Sequence, residues 1–350
     1  MKIAILAHLH HVIAEPFPGG TEMHTAVVAN ELVRRGHDVT LFAKAGSDTA
    51  AKLEPLVPSD FTFGAAWGSD GRDHSDEILA EVVGKAIATI RSDAYDVVFN
   101  NSLGPLPYTE LAGVAMLTVL HTPPSLEKVN IVITRSDWHP DRRHRYVSVS
   151  EFNSRSWRTL LPKVDCIPNG IQLDQWADAA TVEPGLAVWS ARITPEKGLE
   201  RAIDAVRRVG MRLEFSGPVA NREYFDSVIT PLLGDDVIHR GHIKHAGLAA
   251  QLSRGEVFVS SSIWAEPFGL ALVEAMACGT PVAAFPKGAA AEVVNAHGGV
   301  VARDCSPTAL AEAIQQARTM DRQLVRGSAQ RYDAHTMIDR YESAMRELVR

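Results

Sequence analysis

Short apolar runs alternate with helical patterns along this chain, and the alternation runs through twice. In the first half, Ile3 to Ala7, Asp38 to Ala43, Asp96 to Phe99 and Ala115 to Leu120 read as strands. Their near-continuous apolar character is that of strands buried on both faces of a parallel sheet. Thr21 to Gly36, Asp76 to Arg91 and Leu103 to Gly113 read as helices between them, and Lys44 to Asp73 as irregular chain. Tyr146 to Trp157 is a strand leading into a helix capped by Ser150, and Cys166 to Gly170 a strand ending in a turn. The plan restarts at Leu186 to Ser190 and continues through strands at Arg212 to Phe215, Val237 to Arg240 and Glu256 to Ser260. Two series of this kind predict an α/β protein of two doubly wound, Rossmann-like domains facing a cleft. The boundaries expected are residues 1–170 for the first domain, 171–184 for a linker and 185–330 for the second, with a C-terminal helix over 331–350.

At 350 residues the chain is long enough for two such cores. A net charge of −7 argues against nucleic acid as the main partner. The three cysteines, Cys166, Cys278 and Cys305, are in no metal-ligand spacing and suit a reduced, cytoplasmic setting. The apolar run Ile3 to Ala7 is too short for a signal-peptide core, and no run reaches the ~18 apolar residues of a spanning helix. Peripheral membrane contact is left open.

Chemistry concentrates in Ser260 to Glu274, SSSIWAEPFGLALVE. Pro267 precedes an apolar helical run and fits a first helical turn. The N–H groups of Phe268, Gly269 and Leu270 would then leave a helix N-terminus toward phosphate or sugar oxygens. Gly269 permits close approach of a ligand. Glu266 and Glu274 bracket this helix, roughly 12 Å apart if helical rise applies throughout. That exceeds the ~5 Å of a retaining glycosidase pair and the ~6.5–9.5 Å of an inverting one. It suits the two ends of a long ligand with a diphosphate in its middle.

Other stretches offer cations and backbone donors. Pro16 to Gly20, between the first strand and its helix, makes an anion cradle in which Gly19 and Gly20 allow close approach. His8, His10 and His11 crowd the same loop without an acidic or Cys ligand spaced to complete a metal site. Thr194 and Pro195 are placed to cap and open a helix, with Arg192 before it, Lys197 in its first turn and Gly198 inside it. His121 stands at the carboxyl end of a predicted parallel strand, where open α/β sheets bind ligands. Arg142, Arg143, His144 and Arg145 read as a solvated basic loop, with an acidic acceptor as the other reading.

The Glu-x7-Glu spacing of Glu266 and Glu274, continued through AMACGTPVAA, resembles the signature of the retaining GT-B glycosyltransferases of family 4. ARITPEKGLERAI, RGHDVTLFA and IPNGI resemble further segments of that family. The resemblance implies the GT-B fold, with the C-terminal helix returning to the first domain. It implies that Glu274 holds the nucleotide ribose and Glu266 lies by the donor sugar. Arg192 and Lys197 would hold the diphosphate, the Gly19–Gly20 loop would close over it, and His121 would lie near the sugar. The base would be read near Ile243, beyond the glycines Gly217 and Gly241 that follow two strands. KGAAAEVV keeps Glu292 of a Gly-Gly-x-x-Glu segment, but Ala289 replaces its second glycine.

The function expected is therefore a retaining hexosyltransferase that moves a sugar from a nucleotide-sugar, UDP-sugars favoured, to a hydroxyl acceptor. No cofactor is expected. With no Asp-x-Asp triplet in the sequence, no metal is expected either. The alternatives are a same-fold nucleotide-sugar hydrolase or epimerase, and a non-catalytic nucleotide-sugar-binding protein.

Overall fold

Two open, all-parallel sheets organise the chain in a computed structural model, which describes residues 1–64, 73–176 and 181–350. The first sheet contains β1 (Lys2–Ala7), β2 (Asp38–Lys44), β3 (Lys52–Val57), β4 (Val97–Asn101), β5 (Met116–Leu120), β6 (His144–Ser148) and β7 (Asp165–Cys166). Its order is β3-β2-β1-β4-β5-β6-β7. The second contains β8 (Leu186–Ser190), β9 (Arg212–Ser216), β10 (Val237–His239), β11 (Val257–Ser260), β12 (Val282–Ala284) and β13 (Gly299–Val301), in the order β10-β9-β8-β11-β12-β13. The strand order reverses beside β1 in one sheet and beside β8 in the other, and those switch points are where doubly wound sheets open a crevice for ligands. β4 and β5 are wholly buried and β1 is buried from Ile3 onward, as their apolar sequences require.

The helix Ala334–Val349 lies against β4, β5, β6 and the helix Gly20–Arg34. Fully buried Tyr341 anchors it, with its hydroxyl 3.1 Å from His24 Nε2. Arg35 adds ion pairs to Asp339 at 2.5 Å and Glu342 at 3.1 Å. No helix among the described residues is long and apolar enough to cross a membrane.

Several local expectations need correction. The stretch Lys44 to Asp73 is not all irregular: KLEPLV forms β3, an edge strand too polar to read as buried, and the edge is where its Pro55 is tolerated. The helix expected over Leu103 to Gly113 contracts to Leu106–Glu110, because Leu103 adopts φ 58°. Glu127–Ile133, which follows the prolines of HTPPS, is a helix. Thr194 makes no cap, and Pro195–Lys197 is a single tight turn rather than a helix start. Gly198, at φ 63°, joins that turn to the helix Leu199–Arg208, and a Cβ there would stand 2.5 Å from the Ser261 carbonyl oxygen. Ser150 caps its helix as expected, accepting a hydrogen bond from Asn153 N. Within the stretch 171–184, Leu173–Trp176 forms a tight turn with Trp176 buried, while residues 177–180 lie outside those described.

Candidate functional site

The carboxyl ends of β1, β5, β8 and β11 converge on a cavity of about 490 Å³ between the two sheets. After β1, the chain passes His8 and reaches Gly19 and Gly20 at the start of the helix Gly20–Arg34. After β8 it presents Arg192, then Lys197 on its tight turn. After β11 it presents Glu266, then Gly269 and the helix Leu270–Ala277, which carries Glu274.

The helix begins at Leu270, with Gly269 at φ 93°, so Pro267 is not in its first turn. The 12 Å estimate for Glu266 and Glu274 therefore loses its premise, since Glu266 lies on the loop before the helix. Gly19, Gly20, His121, Arg192, Lys197 and Gly217 nonetheless line one cavity with Ile243, Glu266, Phe268, Gly269, Leu270 and Glu274. Glu292 is the exception and lines no part of it. Its carboxylate accepts hydrogen bonds from Glu151 N and Phe152 N, both at 2.9 Å. The unpaired N–H groups and positive end of the helix Glu151–Trp157 draw it away.

Lys197 donates to the Glu266 carboxylate and lies 5.5 Å from the Trp264 ring centre. The Lys287–Ala289 turn fixes the backbone of Glu266. Ala289 N donates to its carbonyl at 2.8 Å, and a Cβ on Gly288 would stand 2.2 Å from the same oxygen. Gly288 has φ 60°, whereas Ala289 has an ordinary φ of −81°, so the second position of this turn tolerates alanine. Glu274 is 7% exposed, and burial alone pushes its carboxyl up to about 8.

His121 donates from Nε2 to Asn101 Oδ1 at 3.0 Å. Asn101 Nδ2 in turn donates to Thr25 Oγ1 at 3.1 Å. The His24 ring meets His121 edge-on, with centroids 4.6 Å apart. Burial holds His121 well below its ordinary range and His24 at about 3, so both rings are neutral. This buried neutral network runs from the cavity through His24 to Tyr341.

Sequence reasoning missed several lining residues. Glu22, in the first turn of the helix Gly20–Arg34, faces His8 across 3.4 Å; its one signal was an acid beside Gly19–Gly20. His242 bonds the Phe17 carbonyl at 3.0 Å and His245 pairs with Glu15 at 3.1 Å, so the loop before Gly19 is tied to the opposite domain. No group of three His, Cys, Asp or Glu among the described residues could hold a metal. The basic run is engaged elsewhere: Arg143 donates to the Gly113 carbonyl, and Arg145 pairs with Asp165 and Glu347.

Residues 173–331 match the family model described as glycosyl transferases group 1, and residues 18–175 match that of glycosyltransferase family 4. Glycogen synthase of Mycobacterium tuberculosis is 26% identical over 86% of this chain and 82% of its own length. D-inositol 3-phosphate glycosyltransferase of Mycolicibacterium smegmatis is 24% identical over 82% of this chain and 76% of its own. Sucrose-phosphate synthase of Thermosynechococcus elongatus has a similar structure, with a TM-score of 0.75, 20% identity and 99% coverage of both chains. Anabaena HepE, solved in complex with UDP and glucose, has a TM-score of 0.75 at 20% identity, over 99% of this chain and all of its own. The two-sheet architecture described above is thus the GT-B fold.

Proposed function

The chain belongs to the group 1 glycosyltransferases, and on that premise we propose that it moves a hexosyl group from a nucleotide-sugar to an acceptor hydroxyl, with retention of configuration. The observation that carries this reading is the convergence of Arg192, Lys197, Gly19–Gly20 and the N-terminus of the helix Leu270–Ala277 on one cavity. Two cations, close-approaching backbone and a helix N-terminus make a clamp for a diphosphate leaving group.

The residues of 185–330 take the donor and those of 1–170 the acceptor, with 171–184 between them and 331–350 returning to the first domain. As the sugar–oxygen bond breaks, Arg192 and Lys197 stabilise the departing phosphate. They supply the positive charge a divalent metal would otherwise bring. Glu274 receives ribose hydroxyls, and Glu266, oriented by Lys197, meets the sugar. His121 orients the sugar from the first domain, and backbone near Ile243 meets the base. With the acceptor hydroxyl on the face from which phosphate leaves, a phosphate oxygen takes its proton and front-face attack retains configuration. UDP is favoured as the nucleotide; the similarly folded HepE was solved with UDP and with UDP-glucose. The free cysteines suit a cytoplasmic setting.

A thermal-shift screen of UDP, GDP and ADP tests the donor half of this reading. At 100 times its Kd, the right nucleotide stabilises the fold by about 2.7 kcal/mol. Absence of any shift removes the nucleotide-sugar donor. Donor cleavage that no acceptor accelerates would favour the hydrolase, and binding without turnover the non-catalytic protein.

A further inference from the structure

The two walls of the cavity differ in charge. Among the described residues, its lining Lys and Arg side chains are Arg192, Lys197 and Lys287, all on elements that follow β8 and β12. None of these three comes from the described residues of the first-domain wall. Lys44 influences His10 from nearby, but it is buried at the end of β2 and donates to the Phe61 carbonyl.

The ionisable groups on that wall are Glu22 and histidines, beside the neutral Thr21, Thr122 and Asn169. Glu22 and His8 are each 4% exposed. His8 Nε2 lies 3.4 Å from Glu22 Oε1, yet neither ring nitrogen of His8 completes a hydrogen bond. Buried polar atoms are nearly always satisfied, so two orphaned nitrogens on a cavity wall point to a ligand that satisfies them.

Resting on the glycosyltransferase reading above, we propose that the acceptor is an uncharged polyhydroxyl compound, a sugar or cyclitol without phosphate or carboxylate, bound through Glu22 and His8. Burial brings His8 and His10 to about 4, so at neutral pH each ring offers one donor and one acceptor, the pairing a hydroxyl needs. Burial also raises the Glu22 carboxyl, against the pull of His11 and Arg192. In either protonation state that carboxyl bonds hydroxyls, and in neither does it supply the positive charge that holds a phosphate. Among the described residues, an anionic acceptor finds no Lys or Arg lining its own side of the cavity.

The test uses wild-type protein with the sugar donor of the nucleotide found by thermal shift. Glucose and myo-inositol are compared by kcat/KM with glucose 6-phosphate and inositol monophosphate. Each unphosphorylated compound should be preferred by at least about tenfold, because the wall repels or fails to pair the anion. Preference for the phosphorylated partner overturns the proposal. Glu22→Gln should raise the acceptor KM roughly tenfold, the scale of one lost hydrogen bond to a carboxyl, and leave the UDP dissociation constant unchanged. A matching rise in the UDP constant would assign Glu22 to the donor and contradict the inference. Failure of all three nucleotides to bind would remove the donor reading, and this inference with it.

Discussion

The Lys197 ammonium donates to the Glu266 carboxylate, joining the turn after β8 to the loop after β11. Both side chains are largely covered, at 11% and 20% exposure. In the function proposed above, the pair holds a cation for the diphosphate and an acid for a sugar hydroxyl. Lys197→Ala should slow transfer by roughly 10²-fold or more, the scale of one preorganised donor lost from a developing anion. Glu266→Gln should lower kcat and raise the donor KM, whereas Glu274→Gln should act mainly on donor KM. Steady-state kinetics of the three variants checks this, and equal, purely kcat effects at Glu266 and Glu274 would contradict the division of roles.

Glu274 gives the site a pH dependence. Its carboxyl titrates near 8 in the folded protein against 4.5 ordinarily. Between those values the folded state holds a proton that the unfolded state has lost, so stability falls as pH rises through the window. The penalty is at most about 5 kcal/mol and is absent from Glu274→Gln. Urea unfolding at pH 5 and pH 8 should show the variant gaining on wild type at the higher pH. With Glu274 in its proposed role, ribose hydroxyls donate to the ionised form, so donor binding should release a proton and affinity for a UDP-sugar should rise up to about pH 8. A flat pH profile in wild type would contradict this.

His121 is neutral and held by Asn101. His121→Ala should keep the fold and cut turnover roughly 10- to 100-fold, as expected when a reacting sugar loses its alignment. Circular dichroism and initial rates check the two halves separately. A variant that is unstable but fully active would assign His121 a structural role alone.

The fold was legible because both series of buried strands are apolar runs with little else to become. β3 was not: an edge strand facing water needs no apolar run, and KLEPLV has none. In the site, Arg192, Lys197, Glu266 and Glu274 stood out because short motifs carry them on the segments that follow β8 and β11. The same local view misplaced the helix starts at Pro195 and Pro267. Proline marks a possible first turn, but Gly198 and Gly269 in left-handed conformations decide where each helix begins. Glu22 was hidden because it belongs to no motif beyond the Gly19–Gly20 turn, and His242 and His245 because their partners, Phe17 and Glu15, lie far along the chain. Glu292 was misassigned for the same reason, since the N–H groups it caps are 140 and 141 positions away.

Glu292→Gln should therefore behave as the loss of a helix cap. It should cost about 1 kcal/mol of stability, read as a lower melting temperature, with donor affinity unchanged. A large loss of donor affinity at unchanged stability would return Glu292 to the donor site.

The anomeric configuration of the product tests the central claim most directly. A double displacement needs a carboxylate nucleophile on the far face of the sugar. Glu266 is engaged with Lys197, and no strong motif supplies another acid for that role. Front-face attack beside the leaving phosphate is the route proposed here, with Arg192 and Lys197 as the clamp. Proton NMR of the first product formed from an α-linked nucleotide-sugar should show an α anomer; a β anomer would require back-face attack and contradict the account.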